Sequence, residues 1–132
     1  MSKKYFTLAE ANALLPTLEK ELCELQQLKN DLGYKESQLR KMKNAVTQKL
    51  QTDTELIFMK ESELEFMELE AQLYLSNIHS LGVQLKSIDL GLLDFPALIN
   101  GEDVLLCWKQ GEAEITHYHG ATDGYSGRKK LK

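Results

Sequence analysis

The stretch GVQLKSIDLGLLDFPALINGEDVLLCWKQGEAEITHYHG, residues 82–120, decides the fold, because short apolar runs replace a helical pattern here. Its segments VQLKSI, LLDFPALI, DVLLCWK and EITHYH have the length and composition of β-strands. Turn-forming residues separate them at DLG, NGE and QGEA. The stretch therefore predicts a small four-strand antiparallel sheet.

The residues before this stretch begin with a clear helix start. Thr7 and Glu10 in TLAE have the spacing of a capping box, in which each side chain bonds the other residue's backbone N–H. Leucines then recur at three- and four-residue intervals and predict one apolar face. Pro16 predicts a kink or a short break, and Gly33 predicts the end of this helix.

Residues 35–81 contain neither proline nor glycine, which allows one very long helix. A second capping-box spacing, between Thr52 and Glu55, instead favours two helices with a break near Asp53. Gly82 ends the pattern. The predicted fold class is therefore α+β, with a long N-terminal antiparallel hairpin of two or three helices followed by the four-strand sheet.

The end of the helical region is apolar on two opposite faces. The first face contains Leu64, Met67, Ala71, Tyr74, Leu75 and Ile78, and the opposite face contains Phe66, Leu69 and Leu73. The segment 35–49 is basic, whereas the segment 53–70 is acidic. One face is expected to pack on the first helix, and the other on the C-terminal sheet or on a second subunit. With the two charged segments, these faces predict a homodimer held by its helices, and another protein is a further candidate partner.

Length and composition favour a single domain over residues 1–132, with a helical hairpin (1–81), a small sheet (82–120) and a Gly-rich basic tail (121–132). The net charge of −4 makes nucleic acid an improbable partner, and we expect the tail to be solvated. Two cysteines do not form a disulfide framework. No signal peptide or membrane-spanning segment is evident, which predicts a cytoplasmic protein.

Several segments resemble a known family. They are KYFTLAEANALLP at the start, residues 82–119 with the series LGLLDFP…LLCW…GE…H, and DGYSGRKKL at the end. These segments are similar to the small bacterial family known as domain of unknown function 2203. The resemblance implies no activity, substrate or catalytic residue.

The last predicted hairpin contains the residues best suited to bind a metal ion or to take part in catalysis. If it turns at QGEA with Lys109 opposite Glu114, then His117 and His119 lie on the same face as Trp108. We expect Trp108 to be buried between sheet and helix.

Two interpretations of the histidines remain open. They are either half-buried sheet residues hydrogen-bonded to neighbours such as Asp94, or ligands of one zinc, manganese or iron ion. In this register Cys107 lies on the other face, so a Cys-plus-His zinc set is not predicted. One carboxylate, from Asp94, Glu112 or Asp123, would complete the metal site.

The sequence favours a non-enzymatic, self-associating interaction or scaffold protein with no cofactor. The alternative is a small metal-binding protein, with hydrolysis as its reaction, centred on His117 and His119. Nucleophilic catalysis has little support, because Cys107 lies in an apolar strand and the motifs of nucleophile elbows and phosphate loops are missing from the sequence.

Overall fold

A computed structural model describes residues 4–45 and 51–131 as two helices followed by a five-strand antiparallel sheet. The elements are α1 (Leu8–Ala45), α2 (Gln51–Ser80), β1 (Gln84–Ser87), β2 (Leu92–Ile99), β3 (Glu102–Lys109), β4 (His117–Gly120) and β5 (Lys129–Lys130). The α+β class and the helical hairpin are confirmed. The sheet has one strand more than the sequence predicts.

The predicted capping box starts α1. The Thr7 backbone N–H donates to Glu10 Oε1 at 2.9 Å, and the Glu10 N–H donates to Thr7 Oγ1 at 3.1 Å. The backbone N–H of Thr7, and after it the Thr7 hydroxyl, stabilise the carboxylate form of Glu10 and so lower its pKa. Just before the helix, Phe6 donates its N–H to the Pro96 carbonyl at 2.7 Å and packs edge-on against Phe95. The start of α1 is thereby fixed to the sheet.

The predicted short break at Pro16 and the helix end at Gly33 are wrong, since α1 is continuous from Leu8 to Ala45. The alternative at Pro16, a kink within the helix, stays a prediction. Gly33 costs only about 1 kcal/mol relative to alanine inside a helix. Beyond it, Leu39 is buried in a cluster with Ile57 and Leu64 of α2. This packing stabilises the second half of α1 by more than the glycine destabilises it.

Residues 35–81 are divided between α1, which ends at Ala45, and α2, which begins at Gln51, so the division into two helices is confirmed. The predicted position of the break is wrong, because Asp53 lies in the first turn of α2. Residues 46–50 and the side chain of Thr52, which belongs to the second predicted capping box, lie outside the described part. At its other end α2 finishes at Ser80, and Gly82 follows with φ of +87°, as predicted.

The two apolar faces of α2 have different surroundings. The inner face packs on α1 and the sheet, and its buried residues are Ile57, Leu64, Met67 and Ile78. The opposite face, here called the outer stripe, consists of Phe58, Met59, Phe66, Leu69 and Leu73. Each residue of the outer stripe is between 63% and 69% exposed. Within the described residues, the chain therefore leaves this face uncovered.

Charged residues of the two helices pair within one molecule. Lys35 of α1 forms an ion pair with Glu63 of α2, and Lys43 lies 3.0 Å from Glu61. The Lys35 ammonium lowers the pKa of Glu63. Part of the basic and acidic segments on which the predicted homodimer depends is therefore already paired inside the hairpin. The homodimer itself stays a prediction.

The strands follow one another in the sheet in chain order, each antiparallel to the next. Asn100 and Gly101 connect β2 to β3 as a two-residue turn in which both have positive φ, at 53° and 80°. Such a turn sets the register of the hairpin. Ile99 lies opposite Glu102, and further along Asp94 lies opposite Cys107.

The sheet face that packs on the helices forms the main core, as expected for alternating strand residues. Trp108 is 0% exposed and packs there among helix and sheet residues, so its predicted burial between sheet and helix is confirmed. Other members of this core are Leu15, Leu18, Leu22, Ile78, Leu93, Phe95 and Leu106.

The segment predicted as a solvated tail contributes to the sheet. Lys129 and Lys130 form β5 against β4, and the Leu131 N–H donates to the Thr116 carbonyl at 2.7 Å. Arg128 forms an ion pair with Glu112 at 2.9 Å. The pairing of β5 and the bond from Leu131 give hydrogen-bond partners to backbone groups of β4 and Thr116. Without them, these edge groups would bond to water. Among the described residues, neither helix is both long and apolar enough to cross a membrane.

Candidate metal centre

The sheet face away from the helices carries a group of chemically active side chains. Strand pairing places Asp94 opposite Cys107, Cys107 opposite His117, and Leu105 opposite His119. Because residues alternate between the faces, the two histidines point to the side of Cys107 and not to the side of Trp108. The predicted register of this hairpin is therefore wrong by one residue, and such a shift exchanges the faces.

The cause lies in residues 110–116, which form a longer connection than a QGEA turn. Ile115 turns into the main core at 3% exposure, and its N–H donates to Asn12 Oδ1 of α1 at 2.8 Å. The Glu112 carbonyl accepts a bond from Trp108 Nε1 at 2.8 Å. Contacts with a helix about a hundred residues earlier in the chain thus determine where β4 begins.

Three of the side chains on this face form one compact cluster, here called the Asp–Cys–His cluster. One ligand atom from each of Asp94, Cys107 and His119 lies within 4.8 Å of the other two. Their exposed fractions are 2%, 1% and 2%. A carboxylate, a thiol and an imidazole gathered away from water require compensating partners, such as hydrogen bonds or a bound cation.

The hydrogen bonds of His119 determine how its ring can act. Nδ1 lies 2.8 Å from the Gly120 carbonyl, which only accepts, so Nδ1 carries a hydrogen. Nε2 lies 3.0 Å from Asp94 Oδ2. In a neutral imidazole Nε2 then directs a lone pair at a carboxylate oxygen. A proton shared by the pair, or a metal ion that both atoms bind, would remove the repulsion between these two electron-rich atoms.

Cys107 is not activated as a nucleophile. Burial, followed by the negative charge of Asp94, raises the pKa of the Cys107 thiol to about 12, although Arg128 acts in the opposite direction. The metal-free protein therefore holds a thiol and not the reactive thiolate. This agrees with the sequence, which gave little support to nucleophilic catalysis.

The two cysteines should consequently differ in reactivity. In native, metal-free protein at about pH 8, we expect iodoacetamide to modify exposed Cys23 and to leave buried Cys107 intact. Mass spectrometry of peptides would show one label per chain, and two labels after unfolding in urea. Native labelling of Cys107 at the rate of Cys23 would contradict the burial of the cluster.

A cavity of about 280 Å³ adjoins the cluster. Asp94, Cys107 and His119 form part of its wall, together with Lys86 of β1 and the 121–125 loop, which contributes Thr122 and Tyr125. The space is large enough for several water molecules or a small organic molecule. An ion held by the cluster could therefore take an additional ligand from the cavity.

The structure separates the residues that the sequence proposed as ligands. Asp94 and His119 lie together, as both interpretations of the histidines expect: Nε2 is at hydrogen-bond distance, 3.0 Å, from Oδ2, and the same two atoms could bind one ion. His117 is half-buried and lies outside the cluster, with Nδ1 at 2.8 Å from Thr116 Oγ1. Glu112 is occupied by Arg128 Nη2, which contacts both its carboxylate oxygens at 3.1 and 2.9 Å. Asp123 accepts the Gly120 N–H at 3.1 Å.

Cys107 is the member of the cluster that the sequence analysis did not select. The signal that locates it is the Asn100–Gly101 turn, because a two-residue turn with Ile99 opposite Glu102 brings Asp94 opposite Cys107. That pairing places the side chains of Asp94 and Cys107 on one sheet face, whatever the register of β4.

Comparison with known proteins identifies the family. The family model described as "Uncharacterized conserved protein (DUF2203)" matches residues 4–131, almost the whole chain. No curated protein and no solved structure matches the chain. The chain therefore belongs to the DUF2203 family of uncharacterized conserved proteins.

Proposed function

We propose that this protein binds one divalent transition-metal ion, with zinc as the best fit, through Asp94, Cys107 and His119. The observation that carries the proposal is the buried Asp–Cys–His cluster, whose ligand atoms lie within 4.8 Å of one another. Ligands about 2.0–2.3 Å from a zinc ion are separated by roughly 3–4 Å. A small contraction of the cluster is thus sufficient to bring all three onto one ion.

The chemistry of the donors supports zinc. Thiolate, imidazole and carboxylate are the usual protein ligands of zinc, whereas manganese prefers oxygen ligands. A zinc ion with one thiolate and one carboxylate forms a centre of zero net charge, which suits a buried site. The bond from His119 Nδ1 to the Gly120 carbonyl leaves Nε2 available, as in many metal-bound histidines.

Three protein ligands leave the fourth position of a tetrahedral zinc ion for water or a substrate, as in catalytic zinc sites. Asp94, Cys107 and His119 all line the cavity of about 280 Å³, from which water or a substrate could reach an ion held by them. Zinc-bound water is the nucleophile of hydrolytic centres, so hydrolysis is the reaction that this site would serve. A reduced Cys107 is required, and a bacterial cytoplasm, the location predicted from the sequence, keeps thiols reduced.

Metal analysis tests the proposal. Protein produced without a histidine tag, loaded with zinc and dialysed, should retain about one zinc per chain by inductively coupled plasma mass spectrometry. Cys107→Ser should lose the zinc, because the replaced thiolate is a ligand. Cys23→Ser is the matched control, since Cys23 is exposed and lies outside the cluster, and it should keep the zinc. Wild-type protein that retains neither zinc, manganese nor iron would refute the proposal.

A second candidate function is the interaction or scaffold role predicted from the sequence. The specific observation in its favour is the outer stripe of α2, where all five apolar side chains are more than 60% exposed. Exposed contiguous apolar surface on a small protein often marks an interaction site. This role is compatible with metal binding, because the outer stripe and the Asp–Cys–His cluster lie on different elements.

A further inference from the structure

The outer stripe has the form of a helix-docking surface. Phe58, Phe66, Leu69 and Leu73 lie on one face of α2 and form an apolar seam. Their intervals are eight, three and four residues, and Ser62 interrupts the seam between Phe58 and Phe66. The seam is roughly 22 Å long at 1.5 Å per residue. A partner helix of four to five turns would match this length.

The edges of the stripe are acidic. By helical geometry Glu65 lies along one edge and Glu70 along the other. Among the residues that the structure describes, neither takes part in an ion pair. Lys60, the one basic residue of the segment 53–70, points toward Glu63 at 3.9 Å and away from the stripe. A partner helix on the stripe therefore meets negative charge on both sides.

This charge pattern disfavours a second copy of α2 as the partner. In a parallel pair, Glu65 of one copy would face Glu70 of the other, five residues on, which is the usual position of interhelical ion pairs. In an antiparallel pair with matched stripes, Glu65 would lie beside its own equivalent. Both arrangements bring like charges together, and a helix with lysine or arginine on both edges would remove this repulsion.

We infer that the outer stripe of α2 binds a basic amphipathic helix of another protein. The apolar seam of that helix packs on Phe58, Phe66, Leu69 and Leu73, and its lysine or arginine side chains pair with Glu65 and Glu70. This inference rests on the interaction role, the second candidate function, and is independent of metal binding.

Two designed peptides of equal length test the inference by fluorescence anisotropy against the full chain. Both have leucines at heptad positions a and d; one has lysine along both edges and the other has glutamate. At low salt we expect the lysine peptide to bind at least about tenfold more tightly, with a smaller preference at about 0.5 M salt. The double variant Glu65→Gln, Glu70→Gln should retain binding and lose most of the preference.

The apolar contribution has its own matched control. Phe66→Ser with Leu73→Ser should abolish binding of the lysine peptide. Leu98→Ser, which removes a leucine with 51% exposure from β2, should leave binding unchanged. Circular dichroism would show that each variant is folded.

Light scattering separates the possible failures. If neither peptide binds and the chain is a dimer that Phe66→Ser dissociates, the partner is a second copy, so the inference fails while the interaction role stands. If neither peptide binds and the chain is a monomer, both the inference and the interaction role fail. Equal affinity for the two peptides would overturn the charge-based choice of partner.

Discussion

Replacement of Trp108 by alanine is expected to lower the free energy of unfolding by about 3–5 kcal/mol. The side chain is 0% exposed and contacts residues of both layers, so its removal leaves a large cavity in the main core. It also removes the bond from Nε1 to the Glu112 carbonyl, which positions the 110–116 connection. Urea unfolding followed by far-ultraviolet circular dichroism would measure the loss.

Two comparison variants make this result specific. Trp108→Phe retains most of the apolar area and loses the hydrogen bond, so about 1–2 kcal/mol should be lost. Leu98→Ala alters an exposed side chain on β2 and should change stability by no more than about 0.5 kcal/mol. A loss below about 1 kcal/mol for Trp108→Ala would show that the sheet and helices do not pack around this ring.

His119→Gln is expected to weaken zinc binding by at least about 100-fold, whereas His117→Gln should change it by less than about threefold. The structure places His119 Nε2 in the Asp–Cys–His cluster, while His117 hydrogen-bonds to Thr116 outside it. Competition with a chelating dye would measure both affinities. The pair is well matched, since both histidines lie in the same short strand.

The carboxylates provide an independent comparison. Asp94→Asn should weaken zinc binding as strongly as His119→Gln, and Glu112→Gln should not, because Glu112 pairs with Arg128. Circular dichroism is needed for each variant, since loss of one member of the buried Asp94–His119 pair destabilises the fold. A larger effect of His117→Gln than of His119→Gln would favour the ligand set predicted from the sequence.

Local signals in the sequence predicted the parts of the fold that depend on neighbouring residues. Thr7 and Glu10 cap α1 through bonds that span three residues, and Gly82 follows the end of α2 with a positive φ. Both features depend on backbone geometry at one place in the chain. The helix–sheet order and the burial of Trp108 follow from apolar periodicity in the same way.

The errors occur where distant contacts outweigh local preference. Gly33 is a frequent helix end, but the packing of Leu39 on α2 keeps it inside α1. The register of β4 depends on the bond between Ile115 and Asn12, which spans 103 positions. No pattern within residues 104–120 contains that information. The wrong register of β4 placed Cys107 and the two histidines on opposite faces of the sheet, and Cys107 was therefore not predicted as a ligand.

The link between the start of the chain and the sheet has a consequence for folding during synthesis. Phe6 bonds to Pro96 of β2, 90 positions later, and Asn12 bonds to Ile115 in the 110–116 connection, 103 positions later. The leucines of α1 share the main core with residues of β2 and β3. While the ribosome is still making those strands, the apolar face of α1 has only α2 to cover it. The main core can form only after β2 and β3 have emerged from the ribosome. Until then, the core residues of α1 remain partly exposed to water. A nascent chain arrested before residue 92 would therefore present the leucines of α1 to chaperones and proteases.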